Sequence, residues 1–231
     1  MPRPGKRTKR NLELAPAEAL PAADAVAALK KFTPTKFDQT VDVVMHLSID
    51  PKQADQQIRG SVSLPKGIGK SKRVIAFCRD DVAKEALGAG AVKAGGEDLV
   101  GEIEKGWMEF DVAVATPDMM RVVSKLGKVL GPKGLMPSPK AGTVTQNVPQ
   151  AVKEYAAGKV EYRNDNGGNV HAVIGKMSFP PGDLLENLEH FITTIEKQKP
   201  SGAKGQYIRK ITISGTMTPG VQVKHAAAVP V

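Results

Sequence analysis

Thr40-Val41-Asp42-Val43-Val44-Met45-His46-Leu47 and Val74-Ile75-Ala76-Phe77-Cys78 are both rich in apolar residues, but only the first has a period of two. Val41, Val43, Met45 and Leu47 interleave with Thr40, Asp42 and His46, and only Val44 breaks the alternation. Alternation describes a strand with one face in a core and the other in water. The second stretch is apolar throughout, as in a parallel sheet covered on both faces by helices. Alternation recurs at Val62 and Leu64, at Val160 and Tyr162, at Val170, Ala172 and Ile174, and at Ile211 and Ile213. The continuous pattern recurs at Val112 to Ala115, between the two alternating groups. This nesting predicts a split α+β domain formed by 1–66 and 158–231, interrupted by an inserted α/β domain over 67–157.

Helices fit the same plan. The alternating part carries helical patterns at 22–31 and at 183–197, the latter with Leu184, Leu185, Leu188, Phe191, Ile192 and Ile195 on one stripe. The middle part predicts helices over 81–88, 97–105, 117–126 and 149–157, with Asp80-Asp81 and Thr116-Pro117-Asp118 as start signals. The crossings between domains bear glycine, Gly67 and Gly69 going in and Gly158 coming out, and are expected to form a hinge.

The 231 residues carry 33 Lys and Arg against 24 Asp and Glu, a net charge of +9. Excess positive charge suits a polyanionic partner. Arg3, Lys6, Arg7, Lys9 and Arg10 place five cations in the first ten residues, and such an arm is expected to stay extended until phosphates neutralise it. Aromatic residues are only 4%, so the core must be aliphatic. No apolar run is long enough to span a bilayer, and the basic start lacks the apolar stretch of a secretory signal, so a cytoplasmic protein is expected. A single cysteine, Cys78, excludes an internal disulfide and a multi-cysteine zinc site.

Sites for other chemistry fail on spacing. Gly69-Lys70-Ser71 resembles the end of a phosphate loop, but Leu64 stands where that motif needs its first glycine. Gly67-Ile68-Gly69 begins a dinucleotide fingerprint whose third glycine position holds Lys72, and both stretches precede a strand rather than follow one. His46, His171, His190 and His225 have no zinc-motif spacing, and no nucleophile sits in a triad context. No enzyme activity, cofactor or metal is expected.

Three other stretches have features that suit a ribose-phosphate surface. Leu130 to Val144 packs three prolines and three glycines with Lys133 and Lys140, beside Lys128, into a rigid loop. Lys36-Phe37-Asp38-Gln39-Thr40 opens the first alternating strand, and Ser214-Gly215-Thr216-Met217-Thr218-Pro219-Gly220 closes the last. Hydroxyl side chains in tight turns can bond a ribose or phosphate, and Phe37 and Met217 can pack on sugars or bases.

With Arg163-Asn164-Asp165-Asn166-Gly167-Gly168, these stretches closely resemble the L-one family of bacterial large-subunit ribosomal proteins. The likeness runs from Lys6-Arg7 through KFDQTVDV, IDPKQADQQIRGSVSLPKGIGK, WMEFDVAVATPDMM and LGPKGLMPSPKAGTV to VEYRNDNGGNVHAVIGKMSF, KPSGAKGQYI and GTMTPGVQV. The resemblance implies a split α+β RNA-binding domain with an inserted Rossmann-like three-layer domain. It implies a monomer off the ribosome that binds large-subunit rRNA on the mobile stalk beside the tRNA exit site, assists release of deacylated tRNA, and represses its own operon's mRNA. Its rRNA contacts map onto Lys36, Phe37, Thr40, Arg163, Asn164, Asp165, Ser214, Thr216, Met217 and Thr218, with Lys128, Lys133 and Lys140 as a secondary contact. Thr218 stands where the family commonly has Gly, and Ser138 where it has Asn; a β-branched Thr218 is expected to shift the turn. A general RNA-binding or scaffold protein outside the ribosome is the alternative.

Overall fold

The structure, a computed structural model, describes residues 5–203 and 205–225; Arg3 of the basic arm lies outside them. In chain order the elements are α1 (Lys6–Leu14), α2 (Ala22–Lys30), β1 (Thr40–Leu47), β2 (Arg59–Val62), β3 (Val74–Phe77), α3 (Asp80–Gly88), β4 (Lys93–Gly95), α4 (Glu97–Glu104) and β5 (Val112–Ala115). Then follow α5 (Met120–Val123), α6 (Gly127–Leu130), α7 (Val148–Ala156), β6 (Val160–Arg163), β7 (Asn169–Lys176), α8 (Pro181–Lys197), β8 (Ile208–Gly215) and β9 (Val221–Val223). The chain forms two compact units, Met1–Gly69 with Glu161–Val231, and Lys70–Val160. No helix among the described residues is long and apolar enough to cross a membrane.

The first unit is built on an antiparallel sheet of order β7-β1-β8-β9. The alternation of β1 has a direct cause. Val41, Val43, Met45 and Leu47 are buried, and with Ala172, Ile174, Ile211 and Ile213 they form one face. Ala25, Val26 and Leu29 of α2 and Leu184, Leu188, Phe191 and Ile195 of α8 complete that core. Gly175 lets α8 approach: it has φ 154°, and a Cβ there would lie 2.8 Å from Leu184. No helix among the described residues covers the opposite face, and Val44, the one break in the alternation, stands on it. β2 and β6 form a separate two-stranded pair, and Tyr162 of β6 meets the Phe191 ring edge-on at 5.6 Å.

In the second unit β4-β3-β5 form a parallel sheet, extended by a bridge from Ala115 to Val144. All four residues of β3 are buried because both faces are covered. Val74, Ala76 and Cys78 pack with Ala86, Val152 and Tyr155 on one side, and Ile75 and Phe77 with Leu99, Ile103, Leu126 and Leu130 on the other.

Three expectations need correction. The basic arm is not extended over its described part: residues 6–14 are the helix α1, because buried Asn11 accepts the Thr33 N–H at 3.0 Å and docks it. A tertiary contact overrides the composition here. Arg79, rather than an aspartate, occupies the cap of α3, and Asp80 and Asp81 fall in its first turn. Residues 117–126 are not one helix. Thr116 and Pro117 accept from Met119 and Met120 in tight turns, and α5 starts at Met120.

Candidate nucleic-acid interface

Antiparallel pairing brings the start of β1, the end of β7 and the end of β8 to one end of the open sheet. Thr40 stands opposite Lys176, and Val41 opposite Gly215. The Thr216 N–H donates to the Thr40 carbonyl at 3.1 Å, and the Thr40 N–H donates to Thr216 Oγ1 at 3.2 Å. Lys176 Nζ donates to Thr40 Oγ1 at 2.8 Å. Beneath this surface lies Gln39, 2% exposed, whose Oε1 accepts the Met217 N–H at 2.9 Å and whose carbonyl accepts the Met177 N–H at 2.8 Å. Asp38 holds Ser178 through its N–H at 3.1 Å and its hydroxyl at 2.8 Å. Lys30 Nζ donates to the Met177 and Phe179 carbonyls, and burial holds its pKa below the usual lysine value. Upon this network Phe37 and Met217 stand 54% and 48% exposed, two large apolar side chains presented to solvent. Lys36, Ser214 and Thr216 border them.

Thr218 does not strain the turn: no described non-glycine residue has positive φ. Its Oγ1 accepts the Gly215 N–H at 2.8 Å, so the hydroxyl helps close the turn.

The 163–168 loop is not part of this cluster. It lies at the other end of the sheet, where Gly168 accepts the Leu47 N–H at 2.9 Å and His46 pairs with Asn169. Six strand steps separate His46 from Thr40, about 20 Å. Residues 163–168 therefore do not form one patch with 36–40 and 214–218. The reason is register: β7 runs antiparallel to β1, so the loop leading into β7 meets the end of β1. Asn164 bonds Ile58 in both directions, accepting the Ile58 N–H at 2.8 Å and donating its own N–H to Ile58 O at 2.9 Å. Asp165 accepts from the Asn169 side chain at 3.0 Å and from the Asn169 and Gly167 N–H groups at 2.8 Å each. The Asn169 side chain, then these backbone donors, hold the Asp165 carboxyl down to about 2. Both residues thus shape the loop, while Arg163 is exposed beside them.

The open face joins the two ends. Its rungs run Lys176–Thr40, then Val173–Asp42–Ser214, then His171–Val44–Thr212, then Asn169–His46–Lys210. Asp42, His46, His171 and Thr212 are not among the RNA-contact residues expected from the sequence; the polar phase of the alternation is their signal. Burial raises the Asp42 pKa, and His171 and Lys176 oppose that rise. His171 Nε2 lies 3.5 Å from Asp165, and His46 Nδ1 lies 2.9 Å from Asn169 Oδ1. The face offers hydroxyl, imidazole and amino groups with a single acid in its middle.

In the second unit Lys128, Lys133 and Lys140 are exposed, and Arg121 and Lys125, not anticipated, are exposed on the same stretch. Ser138 and Thr143 brace the loop, with Thr143 Oγ1 accepting the Ser138 N–H at 2.8 Å. Gly67, Gly69 and Gly158 have φ of 64°, 72° and 103°, and a Cβ at Gly69 would meet Phe179 at 2.8 Å.

The open, largely polar sheet face with exposed apolar groups at one end has the hydroxyl, imidazole and amino groups that suit a ribose-phosphate surface. The model of the Ribosomal protein L1p/L10e family matches residues 29–219, and the chain belongs to that family. It is a family of ribosomal proteins that bind rRNA, not a family of enzymes.

Proposed function

We propose that this chain is a structural constituent of the large ribosomal subunit that grips the mobile rRNA stalk beside the tRNA exit site with the open sheet face of its first unit. The observation that carries this reading is the Gln39-supported cluster of Phe37, Thr40, Thr216 and Met217, continuous with a face of hydroxyl and imidazole groups. A-form RNA exposes ribose hydroxyls and phosphates on a wide, shallow groove, and such a face reads shape and 2′-hydroxyls rather than base sequence. The 163–168 loop makes a second contact about 20 Å along the strands, with Arg163 on phosphate. The first unit serves as the split RNA-binding domain and the second as an inserted Rossmann-like domain. Gly67, Gly69 and Gly158 form the hinge between them, and Lys128, Lys133 and Lys140 make a weaker electrostatic contact. In this role the protein is a ribosome-bound cytoplasmic monomer that needs no cofactor. It follows the stalk as deacylated tRNA leaves and represses its own operon by binding a similar fold in the mRNA.

Thr216→Val tests the site. Valine keeps the shape but offers no acceptor to the Thr40 N–H and no hydroxyl to RNA. Filter binding with a transcript of the rRNA stalk should show affinity lower by about 1–3 kcal/mol, the cost of an unpaired polar group on a closed interface. Unchanged affinity in a folded variant removes this cluster from the interface.

A further inference from the structure

The remaining concentration of charge with an unmet hydrogen-bonding need lies on α1. Lys6, Lys9, Arg10 and Glu13 recur at the spacing that places them on one helical stripe, and with Arg7 and Thr33 they line a hollow of about 510 Å³. Four cations face one acid there. The helix is poorly served by its own electrostatics: no acidic residue stands in its first turn, no side chain caps it, and Lys6 and Arg7 crowd the positive end of its dipole. Like charges at three- and four-residue spacing add repulsion. Two buried donors, Arg7 Nε and Asn11 Nδ2, have no partner among the described residues, although Asn11 is wholly buried. Like charges that Glu13 only partly offsets, the unmet donor of Arg7 and a cationic hollow that Arg7 itself lines together describe a surface completed by an anion.

We propose that α1 is a folded phosphate clamp, in which Lys6, Arg7, Lys9 and Arg10, held over Thr33 by Asn11, grip successive backbone phosphates of RNA separately from the open sheet face. This rests on the RNA-binding reading but not on which face reads shape. A polyanion fits better than a single phosphate because Lys6, Lys9 and Arg10 follow one another along a helical stripe, with Lys6 and Arg10 about 6 Å apart along the helix axis. Asn11 is a positioning residue: its Oδ1 accepts the Thr33 N–H at 3.0 Å and fixes the helix, and it need not touch RNA. A fixed array of cations holds its charges in register at low entropy cost, whereas a loose tail must be ordered at each encounter.

The test uses the full chain, two probes and three variants. The probes are the rRNA stalk transcript and polyuridylate of equal length. Replacing Lys6, Arg7, Lys9 and Arg10 together with Gln should reduce the slope of log K against log[salt] on polyuridylate by about 3, four phosphates at roughly 0.7 each. Asn11→Ala keeps every charge, yet should lose at least half of that slope difference and weaken both probes several-fold, with faster proteolysis confined to the first 14 residues. Thr216→Val should weaken only the stalk transcript and leave the slope in place. If Asn11→Ala keeps the wild-type slope, the cations act as an unstructured tail and the clamp is wrong; if the fourfold variant keeps it, α1 does not touch RNA. Inorganic phosphate that raises Tm through these residues without any slope change would overturn the proposal in favour of a small-anion site. A silent Thr216→Val beside altered α1 variants would instead sink the sheet-face reading and leave the clamp standing.

Discussion

Replacing Asn187 by Leu is expected to lower the stability of the first unit by about 2–4 kcal/mol, although leucine suits the buried stripe of α8 on which it falls. Asn187 is fully buried beside Leu184, Leu188 and Phe191. Its Oδ1 accepts the Lys66 N–H at 3.1 Å, and its Nδ2 donates to the carbonyls of Gly67 at 3.0 Å and Ile174 at 2.8 Å. One side chain thereby satisfies three backbone groups, tying the segment after β2 to β7. Leucine gains apolar burial but leaves all three unpaired, at about 1 kcal/mol or more apiece. Urea unfolding followed by circular dichroism should show an earlier midpoint with an unchanged slope. A midpoint equal to wild type means that water or rearrangement satisfies these groups.

Gln39→Leu should damage the interface without touching RNA. The side chain is 2% exposed and accepts the Met217 N–H, and Gly215 sits so close that a Cβ there would lie 3.3 Å from Gln39 Oε1. Leucine is of similar bulk but leaves the Met217 N–H unpaired and frees the 215–218 turn. Each backbone residue that must be ordered again on binding costs about 1–2 kcal/mol. Stalk affinity should therefore fall by about 10- to 100-fold, at 1.4 kcal/mol per tenfold. The salt slope should not change, because no cation is lost. A fall in slope would show that the variant perturbs the charged contacts instead.

The sequence made the strands and most helices legible because apolar periodicity records which face is buried. Val41, Val43, Met45 and Leu47 point to α2 and α8, and Val74 to Phe77 are covered on both sides. The same method hides buried polar residues. Asn11, Gln39 and Asn187 read as surface residues in any hydropathy pattern, yet each is at most 2% exposed and organises a segment through backbone groups distant in sequence. The basic arm departs from its expectation for a related reason: its cations outweigh, in composition, the buried Asn11 that docks it. Of the candidate site, the 36–40 and 214–218 stretches were picked out by hydroxyl-rich turns beside Phe37 and Met217, and the structure brings those two stretches together. Their distance from 163–168 was not, since strand register is set by the pairing of β1 with β7 and has no local signature. Thr218 read as a misfit because glycine's role was taken to be conformational. The Thr218 hydroxyl helps close the turn instead.

A preformed sheet face should recognise the shape and 2′-hydroxyls of folded RNA. The most direct test compares the affinity of the full chain for the rRNA stalk hairpin with that for the all-deoxy hairpin of the same sequence, at one fixed salt concentration. The phosphates are equal in number, so the electrostatic contribution is nearly common to both. Tighter binding to the ribose form by about tenfold or more is the expected result; equal affinity for the two would contradict it.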